Sequence, residues 1–135
     1  MGVDLSIDHV VGVVLDEEAL QAWQTEIDPE GDYYGEEFLY EAFGKEEREG
    51  IDFGTAGSYY TDEDENRHYL YIRRVSEHHD SYDIPGGIMG LGDDEKPYAA
   101  SQELTFDEAV RIYNIAQTMG TKEPKIQRFT AVLWH

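Results

Sequence analysis

The stretch Val3-Asp4-Leu5-Ser6-Ile7-Asp8-His9-Val10-Val11-Gly12-Val13-Val14-Leu15 sets the architecture. Its first half alternates: Val3, Leu5 and Ile7 face one way, Asp4, Ser6 and Asp8 the other, the period-two pattern of a half-exposed strand. From Val10 to Leu15 it is apolar on both faces around Gly12, so the strand passes from an exposed start into a more deeply buried end.

Working outward, Asp16 is placed to cap a helix over Leu20, Trp23 and Ile27, with Glu17 and Glu18 in its electropositive first turn. Asp28-Pro29-Glu30-Gly31-Asp32 reads as a turn. A second helix is expected from Glu36, burying Phe38, Leu39, Ala42 and Phe43. Ile51–Tyr60 and Arg67–Val75 read as a hairpin joined by the polar segment Thr61–Asn66. On its second strand His68, Leu70 and Ile72 share one face, and Tyr69, Tyr71 and Arg73 share the other, with Tyr69 and Tyr71 taken as exposed. Residues 76–100, with four glycines and two prolines, read as a long loop. Thr105-Phe106-Asp107-Glu108 matches a capping box, opening a helix with Phe106, Ala109, Val110, Tyr113, Ala116 and Met119 on one stripe. Gly120 ends it, and Ile126–Trp134 is a closing strand. The expectation is one α+β domain over residues 1–135: a mostly antiparallel four-stranded sheet carrying three helices, in the order β-α-α-β-β-loop-α-β.

The 135 residues carry 30 acids against 10 bases, a formal net charge of −20, and 40% apolar content is enough for a core. No cysteine is present, which excludes disulfides and thiolate chemistry. No apolar run has the length of a membrane span, and the N-terminus lacks the build of a signal peptide, so a cytoplasmic setting is expected. The charge is uneven. Residues 1–60 hold 16 acids and 2 bases, whereas residues 101–135 hold 4 of each. Asp16 to Glu49 alone carries −11 over 34 residues. Such a field repels nucleic acid and anionic lipid and attracts basic surfaces.

Read as mostly helical, the 16–49 stretch would be about 50 Å long, with one net charge per roughly 4.6 Å. A single DNA strand presents one per roughly 3.4 Å. The expectation is therefore a non-enzymatic protein-binding protein whose acidic face engages a basic surface. In its sharpest form it is a nucleic-acid mimic that blocks the cleft of a nucleic-acid-binding partner, in the manner of phage and mobile-element inhibitors. The candidate face comprises Asp16, Glu17, Glu26, Asp28, Glu30, Asp32, Glu36, Glu37, Glu41, Glu46, Glu47 and Glu49, with Tyr33 and Tyr34 as aromatic anchors. Two other readings stand beside it. One is a small enzyme or ligand-binding domain with residues 76–100 as a lid. The other is a structural or oligomer-forming subunit whose acidity serves only solubility or salt adaptation.

No catalytic, metal or cofactor residues are assigned. Asp62, Asp64 and Asn66 match the first ligands of a calcium loop, but Arg67 and Arg73 occupy its glycine and closing-glutamate positions. The adjacent His78 and His79, near Asp80, fit no zinc spacing. Pro85–Gly92 is glycine-rich but lacks the P-loop lysine and serine. It reads as an apolar recognition loop or a buried plug built on Ile88, Met89 and Leu91. Met1-Gly2 with Ser6 meets the short myristoylation pattern, yet one acyl chain anchors marginally and the net charge opposes an anionic leaflet.

Overall fold

A computed structural model describes residues 5–58, 66–79, 87–89 and 103–134. Strand β1 is Leu5–Val14, and helices α1 (Glu17–Ile27) and α2 (Glu37–Ala42) follow it. Then come β2 (Asp52–Ser58), β3 (Arg67–His79) and the short β4 (Gly87–Met89). Helix α3 (Phe106–Thr118) and strand β5 (Gln127–Trp134) complete the order.

Among the described residues one α+β domain with three helices is observed, but the sheet differs from the expected mostly antiparallel one. It closes into a four-stranded mixed barrel, β1-β3-β2-β5 and back to β1. Closure comes from a parallel contact, Gly57 opposite Leu133 and Ser58 opposite Trp134. Strand β5 carries β1 along one edge, and β4 and β2 along the other. The region read as a loop contributes two further pieces of sheet: β3 continues to His79, and β4 pairs with Thr130–Val132. Residues 80–86 and 90–102 of that region lie outside the described residues.

Four strands close only if they coil hard, and the chain provides for this at defined points. A bulge interrupts the β1–β3 ladder, where Val11 pairs with Arg73 and Gly12 with Tyr71, leaving Ile72 as the extra residue. A Cβ at Gly12 would lie 1.9 Å from the Leu70 carbonyl oxygen. Gly54 stands beside its pairing partner Tyr69, whose ring occupies the room a side chain would need.

The interior is a small aromatic plug of Val10, Ala56, Tyr69, Tyr71, Phe129 and Ala131, with Val14 and Ile88 packed against it. Tyr69 meets Phe129 edge-on at 5.2 Å and Tyr71 at 5.8 Å. The two tyrosines expected on an exposed face are therefore inside, because closing the sheet turns one of its faces inward. Ile88 serves as part of that plug rather than in a mobile recognition loop.

The outer face of β1 and β3 receives the helices. Val13 and Leu70 join Leu20 of α1, Leu39 of α2 and Ile112, Ile115, Ala116 and Met119 of α3 in the largest cluster. The capping box at Thr105 forms as expected. The expected α3 stripe does not: Phe106, Val110 and Tyr113 face solvent, and Ala116 and Met119 are buried beside Ile112 and Ile115. This helix carries two apolar stripes, and the sheet takes the one rich in isoleucine. Ala42 of α2 is likewise exposed where burial was expected.

Burial pushes the Tyr69 hydroxyl far above the ordinary tyrosine range, helped by the nearby Asp8 carboxylate. Tyr71 is raised too, by burial first, with Arg74 opposing and Asp52, Asp8 and Glu36 adding to the rise. Since the folded state disfavours tyrosinate, this stability is complete below pH 10, the ordinary tyrosine value, and is lost as pH rises above it. An alkaline titration followed by tyrosinate absorbance and circular dichroism should show most of the ten tyrosines ionising early and the last group only with unfolding. All ten ionising while the circular dichroism holds would contradict the closed interior.

Candidate functional site

The acidic stretch folds into a helical layer joined around Trp23. This indole packs against Phe38 at 5.9 Å and Phe43 at 6.0 Å, and Tyr33 meets Phe38 edge-on at 5.6 Å. Residues 16–49 thus do not form a rod. Helix α1 spans 11 residues and α2 only 6, roughly 16 Å and 9 Å at the usual rise. The turns break the stretch because Gly31 and Gly35 adopt positive φ, 72° and 42°. The strand-like charge ladder expected of a mostly helical stretch is not formed, and the charge is divided between two short helices and the turns beside them.

Four of the twelve candidate acids have local structural work. Asp16 caps α1, its Oδ1 accepting from the Ala19 N–H at 3.0 Å. Glu17 ties the first turn of α1 to β3: one carboxylate oxygen accepts the His68 backbone N–H and the other lies 2.8 Å from His68 Nδ1. Asp28 is buried and accepts from the Asp32 and Tyr33 N–H groups at 3.0 and 2.8 Å. Glu47 accepts from the Gly44 N–H at 3.0 Å. Asp28→Ala removes two charge-assisted bonds from the turn that joins α1 to α2, and should cost about 2 kcal/mol. A urea midpoint shift reports it, and Asp28→Asn should recover part of the loss because its amide oxygen still accepts.

The other eight, Glu26, Glu30, Asp32, Glu36, Glu37, Glu41, Glu46 and Glu49, have exposed side chains that make no ion pair among the described residues. Glu37 and Glu41 stand one turn of α2 apart, about 6 Å, close enough to repel within a Debye length of about 8 Å. The bases within the stretch leave them unneutralised. Lys45 is exposed, and Arg48 lies over the Tyr40 ring at 4.4 Å. Arg111 reaches the Glu49 backbone carbonyl at 3.2 Å and leaves the carboxylate alone.

Of the two anchors, Tyr34 is 76% exposed and stands free, while Tyr33 is tucked against Phe38. The sequence reading missed Tyr40, which is 48% exposed on α2. Its signal was present, since it sits between Glu37 and Glu41 on the exposed side of a helix whose buried residues are Phe38 and Leu39. Glu18, exposed in the first turn of α1, belongs to the same layer.

Of the motifs weighed earlier, Asn66 is engaged in the fold: it is buried, and its Oδ1 accepts the Ser58 N–H at 3.0 Å. Asp62, Asp64, Asp80 and Met1–Asp4 lie outside the described residues. No group of three or more histidine, aspartate or glutamate residues able to hold a metal occurs among the described residues, and no helix there is long and apolar enough to cross a membrane. No known family model matches the sequence, and searches of curated proteins and solved structures found no match.

Proposed function

We propose that the chain is a non-enzymatic protein-binding protein that presents its helical layer to a basic surface on a partner. The observation that supports this is the set of eight exposed carboxylates between Glu26 and Glu49 that lack ion-pair partners among the described residues, with Tyr34 and Tyr40 exposed among them. Local folding accounts for Asp16, Glu17, Asp28 and Glu47 and leaves those eight without a task. Unscreened like charge held on a packed layer steers a cationic surface and disfavours anionic ones. In its sharper form the partner surface is a nucleic-acid-binding cleft, and the protein acts as an inhibitor by occupying it.

Salt separates this from acidity that only confers solubility. Partner capture by the immobilised full chain should fall steeply between about 50 and 200 mM salt, as charge-driven association does. Excess duplex DNA should release the captured partner if the surface is a nucleic-acid cleft. Capture that ignores salt over this range would overturn the proposal.

A further inference from the structure

Helix α3 shows solvent a second apolar stripe. Its inner side, Ile112, Ile115 and Ala116, packs with Val13 and Leu70 of the barrel. Turned away from it stand Phe106, Val110 and Tyr113, at the helical spacing of four and three residues. Phe106 is 82% exposed, Val110 40% and Tyr113 38%. Phenylalanine is among the side chains that folding normally hides, and one such residue alone would need no account. Three in register along one helix face form a patch. With about 200 Å² to each fully exposed aromatic, it offers roughly 300 Å² of side-chain surface.

Two properties of this face select its occupant. The first is charge. The chain carries −20, so two copies repel wherever their acids meet, yet residues 101–135 hold four acids and four bases. Within α3, Glu108 is gripped by Arg73, and Asp107 and Arg111 offset one another. A basic partner, drawn to the acidic layer, gains nothing from such a face. A second copy of the chain meets no local barrier there.

The second property is symmetry. Phe106 and Tyr113 stand four and three residues either side of Val110, so the stripe is nearly the same from either end. Two such helices laid antiparallel about a two-fold axis at Val110 put Phe106 of each copy against Tyr113 of the other, with the valines between them. Asp107 of one copy then lies beside Asn114 of the other, a carboxylate facing amide donors. The antiparallel placement also brings opposite ends of the helix dipoles together. Tyr113 is already oriented, because its hydroxyl oxygen accepts from Gln117 Nε2 at 3.2 Å.

We infer that the exposed face of α3 is the interface of a symmetric homodimer. Roughly 300 Å² from each copy, with a polar rim, is at the small end of specific interfaces, so association is weak and reversible. Arg111 meets the Glu49 carbonyl, which sets the acidic layer at the border of this face, and pairing brings two layers of like charge closer. Salt therefore strengthens the dimer while it weakens capture of a basic partner, so the two roles are tested separately.

Sedimentation equilibrium of the full chain, from about 10 μM to 1 mM and at about 50 and 500 mM salt, measures this. A monomer–dimer equilibrium is expected with a dissociation constant on the order of 100 μM at the higher salt, at least about threefold weaker at the lower. Phe106→Glu puts a carboxylate in the first turn of α3, where the helix dipole accommodates it, so circular dichroism should be unchanged. It should weaken dimerisation at least about tenfold, since pairing would bury a lone charge. Tyr113→Lys should do the same. Mixed in equal amounts, the two variants should associate again, because the antiparallel arrangement sets the introduced carboxylate beside the introduced ammonium. A chain monomeric throughout at both salts, dimerisation unaffected by Phe106→Glu, or no association in the mixture would each overturn the inference.

Discussion

Gly12→Ala should unfold the protein or leave it barely folded, with a loss of at least about 3 kcal/mol. The added methyl would meet the Leu70 carbonyl oxygen at 1.9 Å and the Tyr71 Cα at 2.8 Å. Both are main-chain atoms of β3, and neither can rotate aside. Strand β1 also holds β3 on one edge and β5 on the other, so displacing it disturbs two ladders of the barrel at once. With the whole stability of a small domain at about 5–15 kcal/mol, such a loss takes a large share. Gly31→Ala is the contrasting substitution. Gly31 has φ of 72° and nothing within 4 Å of an added Cβ, so only the conformational cost of about 1 kcal/mol applies. Denaturant melts of the two variants decide the matter: similar losses would show that close approach at the bulge is not what limits Gly12.

Converting the eight unpaired acids to amides together should reduce partner affinity at least about 100-fold and leave the melting temperature unchanged or raised. Each exposed charge pair across an interface contributes modestly, but several acting together determine both encounter rate and retention. Relief of repulsion between Glu37 and Glu41 accounts for the neutral or positive effect on stability. Amide replacement of Asp16, Glu17, Asp28 and Glu47 should give the reverse profile, because those carboxylates hold backbone and side-chain donors in place. Stability then falls while the charge-driven part of binding declines only in proportion to the charge removed. Affinity that survives the eight-fold change would return the acidity to a solubility role.

Much of the local structure was legible. Asp16 and Thr105 cap the helices their positions announced, since a short side-chain acceptor ahead of an apolar periodic run satisfies free N–H groups within its own turn. The strands at β1, β3 and β5 likewise follow from their apolar alternation and β-branched content, and β2 from its place in a hairpin with β3. The site was legible only as a span of chain. Sequence spacing identified the acids, but which carboxylate serves the fold and which stands free depends on contacts such as Glu17 with His68, 51 residues apart. Phe106 shows the same limit: its place on a periodic stripe is a local property, and its exposure follows from the rotation α3 takes against the barrel.

By itself the sequence determined the charge, the helix starts and the strand candidates. Those depend on neighbours within a few residues, where steric and hydrogen-bonding preferences act directly. Tertiary structure alone decided that β2 meets β5 in parallel, that Tyr69 and Tyr71 lie inside, and that Arg73 of β3 and Arg128 of β5 flank Val11 of β1. Strand alternation states that a residue has two possible faces but not which is inner. That choice is made when distant strands pair and the sheet curls shut.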